Sequence, residues 1–379
     1  MKIGIEAQRI FRKKKHGMDI VAIELIRNLQ KIDLKNNYVI FVKQGPDSSC
    51  IKETENFKIV ELSGGIYPLW EQFALPKAVE KEKCDILHCT SNTAPIRTKK
   101  PIVLTLHDII YMERLNLLKK GATLYQKFGN LYRRLIVPKV VAKSDKIITV
   151  SKFEKNRIAD FFKLNSDKLS VVYNGVGKHF VKINDSHQKH LIKNKYKLPD
   201  EFIFFLGNTD PKKNTIGVLK AYKLYLKISS KKLPLVMPDF NKEVLTKILS
   251  KINAENIIDN IYLTGYISNM DLPAIYNQAA LFLYPSLRES FGIPILEAMA
   301  CGVPVITSNT SSMPEVSGEA ALLVNPFNEQ EITDAMIKIE NDLELKKHLV
   351  EKGFKQAEKF SWEAMAQKVL GIYQEIGVR

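Results

Sequence analysis

Cysteine is scarce in this 379-residue chain, and its four cysteines stand in no CxxC or paired Cys/His spacing: Cys50, Cys84, Cys89 and Cys301. We therefore expect reduced packing residues, and neither disulfides nor zinc ligands. Proline (16) and glycine (18) are also few, and no segment is dominated by polar low-complexity sequence. Because 45% of the side chains are hydrophobic, the chain is not of the disordered class, and its length favours two domains.

Long apolar runs are missing as well. Uninterrupted ones such as Ala279 to Tyr284 have the length of one strand, whereas a helix that spans a bilayer needs roughly 20 residues. The amino-terminal residues pass from Ile3-Gly4-Ile5 directly into polar sequence, without the apolar stretch of a signal peptide. These absences argue against a transmembrane protein and predict a cytoplasmic one.

Acidic residues are under-represented in the first half of the chain. Residues 1–200 contain 38 Lys and Arg against 20 Asp and Glu, whereas residues 201–379 contain 19 against 21. The net charge of +16 therefore divides into +18 and −2. This asymmetry points to an anionic partner for the first half, and its sign alone leaves open a membrane surface, a phosphorylated substrate or nucleic acid.

The chain alternates short apolar runs with longer stretches of helical spacing, as in Leu124, Phe128, Leu131 and Leu135. This alternation predicts an α/β fold with two doubly wound parallel sheets, whose strands are apolar throughout because both of their faces are buried. The predicted strands are Lys2 to Glu6, Tyr38 to Val42, Ile86 to His88, Ile102 to Leu106, Ile147 to Val150, Leu169 to Val172, Phe202 to Leu206, Pro234 to Met237, Ile261 to Leu263, Leu281 to Tyr284, Val305 to Thr307 and Ala321 to Val324.

The polar segment Lys182 to Lys197 separates the two repeats. It has seven basic or His side chains and little apolar content, so we interpret it as a linker. The predicted domains are residues 1–185 and 186–361. Doubly wound folds bind ligands at the carboxyl ends of their strands, so we expect an active site in a cleft between two domains that face each other.

Two common nucleotide-binding motifs are absent. No GxxxxGK[ST] occurs, which excludes a P-loop NTPase. The nearest approach to GxGxxG, at Gly175 and Gly177, has Phe180 where the third glycine would allow close helix packing. The absence of a complete GxGxxG motif therefore argues against a dehydrogenase.

A different phosphate site is predicted after the strand Leu281 to Tyr284. A helix should begin near Ile293, because Pro294 suits a first turn, and it should end near Gly302. Backbone N–H groups and the helix dipole favour an anion at the start of this helix, and Gly292 allows a close approach.

Two glutamates flank this helix start. Glu289 lies in the preceding loop, and Glu297 lies one turn into the helix, where a carboxylate can accept hydrogen bonds from both hydroxyls of a ribose. The alternative for Glu297 alone is a helix-dipole contribution of roughly 0.3–1 kcal/mol without any ligand.

A pair of lysines follows the strand Phe202 to Leu206. Gly207 opens a loop that brings Lys212 and Lys213 to the carboxyl edge of that strand, where Lys213 can neutralise a diphosphate. Taken alone, an exposed lysine pair is more often simply solvated.

Together these segments resemble the retaining glycosyltransferases of family 4, of the GT-B fold, especially their mannosyltransferase-like group 1 members. Glu289 and Glu297 reproduce the family's E-x7-E, and Asp210 to Asn214 is similar to its Pro-Arg-Lys-Asn, with Lys212 in place of arginine. The likeness runs almost end to end and includes Leu69-Trp70-Glu71-Gln72, Leu106-His107-Asp108, Val150-Ser151, Tyr173-Asn174-Gly175-Val176, Thr264-Gly265-Tyr266-Ile267 and Ser311-Ser312-Met313-Pro314-Glu315.

The resemblance implies transfer of a hexose, with mannose a candidate, from a nucleoside diphosphate sugar to a hydroxyl of an acceptor. It implies retention of the anomeric configuration, with no metal and no cofactor besides the donor substrate. It also implies that a helix over about residues 362–379 completes the first domain. A sugar-nucleotide epimerase or a phosphorylase of the same fold is an alternative, and a basic nucleic-acid-binding protein is the non-enzymatic one, although no nucleic-acid-reading motif is present.

By the same resemblance, Glu297 would hold the ribose, Lys213 the diphosphate and Glu289 a hydroxyl of the donor sugar. His107 would reach the donor sugar and orient it, and a buried structural histidine is the alternative. Glu289, Lys213 and His107 are thus the implied catalytic residues. The other implied donor-binding residues are Phe291, Gly292 and Ile293 through their backbone, Tyr266 and Ile267 beside the base, and Gly17, Asn208 and Lys212.

The chain departs from the family pattern at three places. His16-Gly17-Met18 stands where two glycines often precede the first helix, and Pro238 replaces a glycine. Lys212 lacks the planar fork with which arginine binds phosphate, which predicts a weaker hold on the donor.

Residues 111–146 combine aromatic and basic side chains on an amphipathic pattern, which suits an anionic membrane surface. We therefore expect the acceptor at the first domain and peripheral attachment to the inner face of the plasma membrane. The expected acceptor is a glycan or is lipid-linked, as in surface polysaccharide synthesis. The alternative is that the apolar residues of this segment pack on the domain and its lysines are only solvated. The residues concerned are Leu124, Tyr125, Phe128, Leu131, Tyr132 and Leu135 with Lys119, Lys120, Lys127, Arg133, Arg134, Lys139 and Lys143.

Overall fold

The computed structural model describes residues 1–113 and 124–378, which form two compact units. The first unit consists of Met1–Gly175 and Trp362–Arg379, and the second of Val176–Ser361. Each unit contains one parallel sheet with helices between its strands, as the apolar pattern predicts.

The first segment of the chain contains β1 (Lys2–Glu6), α1 (Gly17–Ile32), β2 (Asn37–Val42), β3 (Phe57–Glu61), α2 (Tyr67–Leu69), α3 (Leu75–Lys81), β4 (Ile86–Cys89), β5 (Ile102–Thr105), α4 (Ile110–Glu113), α5 (Leu124–Lys143), β6 (Lys146–Thr149), α6 (Lys152–Phe162) and β7 (Leu169–Val171). A π-helical turn, Trp70–Ala74, joins α2 to α3. The sheet order is β3-β2-β1-β4-β5-β6-β7. The edge strand β3 is absent from the predicted strands, because only one of its five side chains is fully buried and the apolar signal is weak.

The second unit contains α7 (Ser186–Tyr196), β8 (Ile203–Phe205), α8 (Thr215–Ile228), β9 (Leu235–Met237), α9 (Lys242–Lys251), β10 (Ile261–Leu263), α10 (Leu272–Tyr276), β11 (Leu281–Tyr284), α11 (Ile293–Ala300), β12 (Val305–Ser308), α12 (Met313–Ser317), β13 (Ala321–Val324), α13 (Glu329–Asn341) and α14 (Leu343–Ala357). Its sheet order is β10-β9-β8-β11-β12-β13. Relative to its own first strand this repeats the order of the first sheet, so both sheets have the doubly wound topology.

The chain then returns to the first unit through α15 (Trp362–Gly377), which packs on α1. Its Tyr373 hydroxyl lies 2.6 Å from Nδ1 of His88 on β4, and Nε2 of His88 lies 2.7 Å from the Thr105 hydroxyl. Burial lowers the pKa of His88 to about 3, so this histidine is neutral and joins the returning helix to the sheet by hydrogen bonds.

The segment interpreted as a linker is instead helical, and it belongs to the second unit. Asp185 caps α7 by accepting from the backbone N–H groups of His187 and Gln188. At its other end, Lys195 and Tyr196 both donate to Asp271. Caps and these ionic contacts stabilise a helix that lacks an apolar face, which is why the polar composition gave the wrong interpretation.

The second unit begins at Val176, ten residues before the predicted domain boundary at residue 186. Val176 pairs with Ser361 in a β-bridge, and Asn277 contacts the backbone of Val181 and Ile183. Residues 176–185 are therefore tied to the second unit by hydrogen bonds that composition does not indicate.

Candidate active site

In the second sheet, the order in which strands are added reverses between the neighbouring strands β8 and β11. This place is a topological switch point. Lys213 follows β8 in a short 3-10 turn, and Glu289 follows β11. The Lys213 ammonium lies 2.7 Å from Glu289 Oε1 and 2.6 Å from the Tyr284 hydroxyl at the end of β11. Such a switch point is where open α/β sheets bind ligands, so the structure places two predicted site residues together at an expected location.

Lys213 is a charged group in a largely enclosed place, since 21% of its side chain is exposed. Burial opposes the ammonium charge, but Tyr284 and Glu289 outweigh it and raise the pKa of Lys213 above its usual value. The ammonium also lies 4.8 Å from the centre of the Tyr284 ring. This site therefore carries a permanent cation.

The loops after β8 and β11 are joined by their backbones. The Leu287 N–H donates to the Lys212 carbonyl at 2.7 Å, and the Asn214 amide donates to the Pro285 carbonyl at 3.1 Å. Asn214 has a left-handed φ of 56°, which turns the chain from the 3-10 turn into α8. These contacts place the Lys213 backbone rigidly beside the loop of Glu289.

Lys212 and Asn208, both predicted to bind the donor, make different contacts. The Lys212 ammonium lies 3.8 Å from Asp210, and its side chain is 40% exposed. The exposed Asn208 side chain accepts from the Asp210 N–H at 2.8 Å. Both residues order the β8 loop around Asp210, and neither joins the contacts between Lys213 and Glu289.

The loop that carries Glu289 is held by two serines. Ser311 accepts from the Glu289 N–H and donates to the Glu289 carbonyl, at 3.2 and 2.6 Å. The Ser312 hydroxyl lies within hydrogen-bond distance of the carbonyls of Glu289 and Phe291, at 2.9 and 2.8 Å, and its one proton is shared between them. The Ser311-Ser312 segment noted for its family likeness thus shapes the backbone that leads into α11.

Helix α11 begins at Ile293 and ends at Ala300, as predicted, and Gly292 precedes it with a φ of 107°. A side chain at Gly292 would be strained in this conformation, and its Cβ would lie 3.1 Å from Ile295. In general, the first-turn N–H groups and the positive dipole end of a helix favour the binding of an anion. Phe291 is buried against Phe360, with ring centres 5.7 Å apart, and fixes the approach to Gly292.

Glu297 lies one turn into α11. Its Oε2 is 3.3 Å from the hydroxyl of the buried Tyr276. Burial raises the pKa of Glu297 to about 7, only partly offset by that hydrogen bond. The carboxyl group therefore titrates near neutrality and accepts hydrogen bonds best above that pH.

Tyr266 and Ile267, predicted to lie beside a base, follow β10. The Tyr266 side chain is 61% exposed, and the preceding Gly265 has a φ of 71° and accepts from the Asp239 N–H at 2.8 Å. The structure thus presents an exposed aromatic ring after a strand next to β9.

In the first unit, His107 follows β5 and is 5% exposed. Its Nε2 lies 3.0 Å from the Thr90 carbonyl, and its backbone N–H donates to Asn92 at 2.7 Å. A carbonyl only accepts, so Nε2 bears the proton and Nδ1 is left as an acceptor. Burial lowers the pKa of His107, which favours the neutral ring. Asp108 accepts from the Ile110 N–H at the start of α4, as expected of a helix cap.

Gly17 is the exposed first residue of α1. The turn before it is ordered by Asp19, which accepts from the His16 N–H at 2.9 Å and forms an ion pair with Arg9 at 3.0 Å. Asp19 is 2% exposed, so this ion pair is a buried support of the loop after β1.

Two buried carboxylates of the first unit were not predicted as site residues. Glu6, at the end of β1, accepts from the N–H groups of Gln8 and Thr90, and burial raises its pKa to about 7. Glu71, in the π-helical turn, is completely buried, and burial raises its pKa as well. The residues that donate to Glu71 are Tyr67, Gln72, Thr93 and Tyr132.

The predicted membrane-facing segment is partly described. Phe128, Leu131 and Leu135 on α5 are 52%, 45% and 59% exposed, so these three side chains are not buried in the unit as the alternative considered from the sequence would have them. Lys119 and Lys120 and the side chains of Leu124, Tyr125 and Lys127 lie outside the described residues.

Residues 1–113 and 124–378 contain neither a membrane-spanning helix nor a metal-binding cluster. No helix there has the length and apolar character to cross a bilayer. No cluster of three or more His, Cys, Asp or Glu side chains there is arranged as a metal site. All four cysteines are buried.

Two family models match the chain, and together they span most of it. Residues 16–178 match the model described as Glycosyltransferase Family 4, and residues 185–356 match that described as Glycosyl transferases group 1. The chain belongs to the glycosyltransferase family whose two parts these models describe. The resemblance noted from the motifs is thereby confirmed.

Curated relatives of this glycosyltransferase include two from Escherichia coli. The serotype-specific mannosyltransferase WbdA is 33% identical over 223 residues, which are 58% of this chain and 27% of WbdA. The O-antigen chain mannosyltransferase B is 32% identical over 232 residues, or 60% of each chain. The match thus covers about a quarter of the first relative's length and three-fifths of the second's.

Solved structures show the fold. A glycosyltransferase from Rickettsia africae superposes with a TM-score of 0.74 over 99% of this chain and 98% of its own, at 18% identity. Anabaena HepE in complex with UDP-glucose superposes with a TM-score of 0.76 over 99% and 100%, at 15% identity. The predicted GT-B fold is confirmed.

Proposed function

We propose that this glycosyltransferase retains the anomeric configuration and moves a hexose, with mannose the first candidate, from a nucleoside diphosphate sugar to a hydroxyl of a glycan or lipid-linked acceptor in surface polysaccharide synthesis. The contact of Lys213 with Glu289 at the switch point, beside the start of α11, carries the proposal. The mannosyltransferase names of the curated relatives and the UDP-glucose bound to HepE support this donor class.

We assign each residue a role that follows from its charge. The Lys213 ammonium and the α11 amino terminus neutralise the negative charge that grows on the departing diphosphate, which is the electrostatic task a metal ion performs elsewhere. Glu297 accepts from the ribose hydroxyls, Glu289 from a hydroxyl of the sugar, and neutral His107 orients the sugar. We therefore propose a reaction that needs no metal.

The donor is tested with a panel of sugar nucleotides that includes GDP-mannose and UDP-glucose. A true donor at a hundred times its dissociation constant adds about 2.7 kcal/mol to the free energy of unfolding. Turnover with an acceptor, the anomer of the product by NMR and retained activity in EDTA then test each part of the proposal. Donor epimerisation or phosphate consumption without transfer would instead identify an epimerase or a phosphorylase.

We propose that the protein works in the cytoplasm at the inner face of the plasma membrane, where a lipid-linked acceptor would be found. The exposed Phe128, Leu131 and Leu135 on α5 and the basic first half of the chain support this. Sedimentation with phosphatidylglycerol vesicles should exceed that with phosphatidylcholine vesicles and should fall with salt. Equal sedimentation with both would contradict an electrostatic attachment.

A further inference from the structure

Tyr284 stands between the two charged groups of the candidate site. It ends β11, it is 2% exposed, and its hydroxyl lies 2.6 Å from the Lys213 ammonium. Burial raises the pKa of Tyr284, and the nearby Glu289 carboxylate adds to this rise. A phenol accepts through its oxygen and donates its own proton, so it can serve both neighbours at once.

The ammonium of Lys213 has three N–H groups, and its described contacts use two of them, one to Tyr284 and one to Glu289. The direction of the third is then set by the positions of the other two. With this hydroxyl contact, the ammonium lies 4.8 Å from the centre of the Tyr284 ring. A lysine side chain with four rotatable bonds would otherwise lose this geometry.

We propose that Tyr284 is a positioning residue for Lys213: its hydroxyl holds the ammonium so that the remaining N–H meets a phosphate oxygen of the donor. This rests on the proposed function, because it takes Lys213 to be the diphosphate-binding residue. Tyr284 touches no reacting atom in this scheme. It acts through Lys213, and its removal should therefore matter only while Lys213 is present.

The test is a double-mutant cycle with UDP and GDP as probes, measured by equilibrium dialysis into the millimolar range. Tyr284→Phe should weaken binding of the preferred nucleotide about tenfold, because a hydrogen bond to a charged group is lost. In the Lys213→Ala background, the same substitution should change affinity less than about twofold.

A matched control comes from Tyr222, whose buried hydroxyl donates to the Leu233 carbonyl at 2.9 Å in the same unit. Tyr222→Phe also removes a buried hydrogen bond, so it should lower the melting temperature and leave nucleotide affinity unchanged. An equal loss of affinity in Tyr222→Phe would reveal a general structural effect and overturn the proposal.

The remaining outcomes of the binding measurements separate failure of the proposed function from failure of the role of Tyr284. A wild-type protein that binds no nucleoside diphosphate, free or as a sugar conjugate, removes the proposed function and this role with it. Wild-type binding that Tyr284→Phe leaves intact overturns the role of Tyr284 alone. So does a tenfold loss that persists without Lys213, because Tyr284 would then act independently of that lysine.

Discussion

The two units have the same strand order around their first strands, yet the carboxyl ends of their strands differ in charge. In the second unit a lysine is held as a cation by Glu289 and Tyr284. In the first unit Glu6 and Glu71 are buried, and their pKa values are raised. The overall charge runs the other way: the first unit has 34 Lys and Arg against 20 Asp and Glu, a net +14, and the second has 23 against 21, a net +2.

This contrast shows that a net charge describes mostly the exposed surface. Charges in a site are few and buried, and each one requires a partner because burial without one is costly. Lys213 has an acceptor in Glu289, whereas Glu71 receives hydrogen bonds from uncharged side chains such as Tyr132 and Gln72. The basic surface of the first half therefore says little about the chemistry at its sheet edge.

The largest effect is expected from removal of the cation in the second unit. Lys213→Ala should lower kcat/KM for the sugar nucleotide by roughly 10²–10³, because charge on the leaving group loses its preorganised partner. The control is Lys220→Ala, which breaks the exposed ion pair with Glu329 in the same unit. A loss of less than fivefold in steady-state assays would place the catalytic electrostatics elsewhere.

The next effect concerns the carboxylate cluster of the first unit. Glu71→Ala should lower the free energy of unfolding by about 2–3 kcal/mol in urea titrations, because buried hydroxyls and an amide lose their acceptor. Glu80→Ala, at a position that is 54% exposed, is the control. Nucleotide affinity should not change in either variant, and a clear change in Glu71→Ala would contradict this division of roles.

A third prediction compares one carboxyl of each unit. Burial raises the pKa of both Glu6 and Glu297 to about 7 from 4.5, so the folded protein keeps a proton that the unfolded chain releases. Stability should therefore fall as the pH rises from about 4.5 through 7. Glu6→Gln or Glu297→Gln should each reduce this fall by roughly 2–3 kcal/mol between pH 5 and 8, because one pKa unit corresponds to about 1.4 kcal/mol.

Only Glu297→Gln should also change donor binding. In the wild type, nucleotide affinity should rise as the pH passes above 7 and the carboxylate forms, and this rise should vanish in Glu297→Gln. Glu6→Gln serves as the matched control for the titration of the ligand itself. Equal pH dependence of binding in all three proteins would remove Glu297 from the ribose contact.

The smallest effect is expected from the contact that joins the returning helix α15 to the first unit. The first unit needs a returning segment, and Tyr373→Phe removes its hydrogen bond to His88, which should cost about 0.5–1.5 kcal/mol in thermal unfolding. Tyr262→Phe, on a 42% exposed side chain of the second unit, should be neutral. Equal melting temperatures for both variants would show that the His88 contact contributes nothing to stability.

Local patterns predicted much of the fold. Every strand except β3 has a predicted counterpart within one or two residues, because strands buried on both faces carry contiguous apolar side chains. The α11 start is predicted because Gly292 and Pro294 restrict the backbone locally. The polar α7 and the edge strand β3 lack such a signal, and their stability comes from caps, ion pairs and neighbouring strands.

By itself, the sequence determined the two apolar repeats, the glycine and proline positions around α11 and the motifs that identify the family. Only the tertiary structure decided that the Tyr284 hydroxyl meets Lys213 across 71 positions, that Glu6 meets Thr90 across 84, and that Tyr373 meets His88 across 285. Periodicity and turn propensity act over a few residues, whereas strand order and helix packing determine which distant side chains become neighbours.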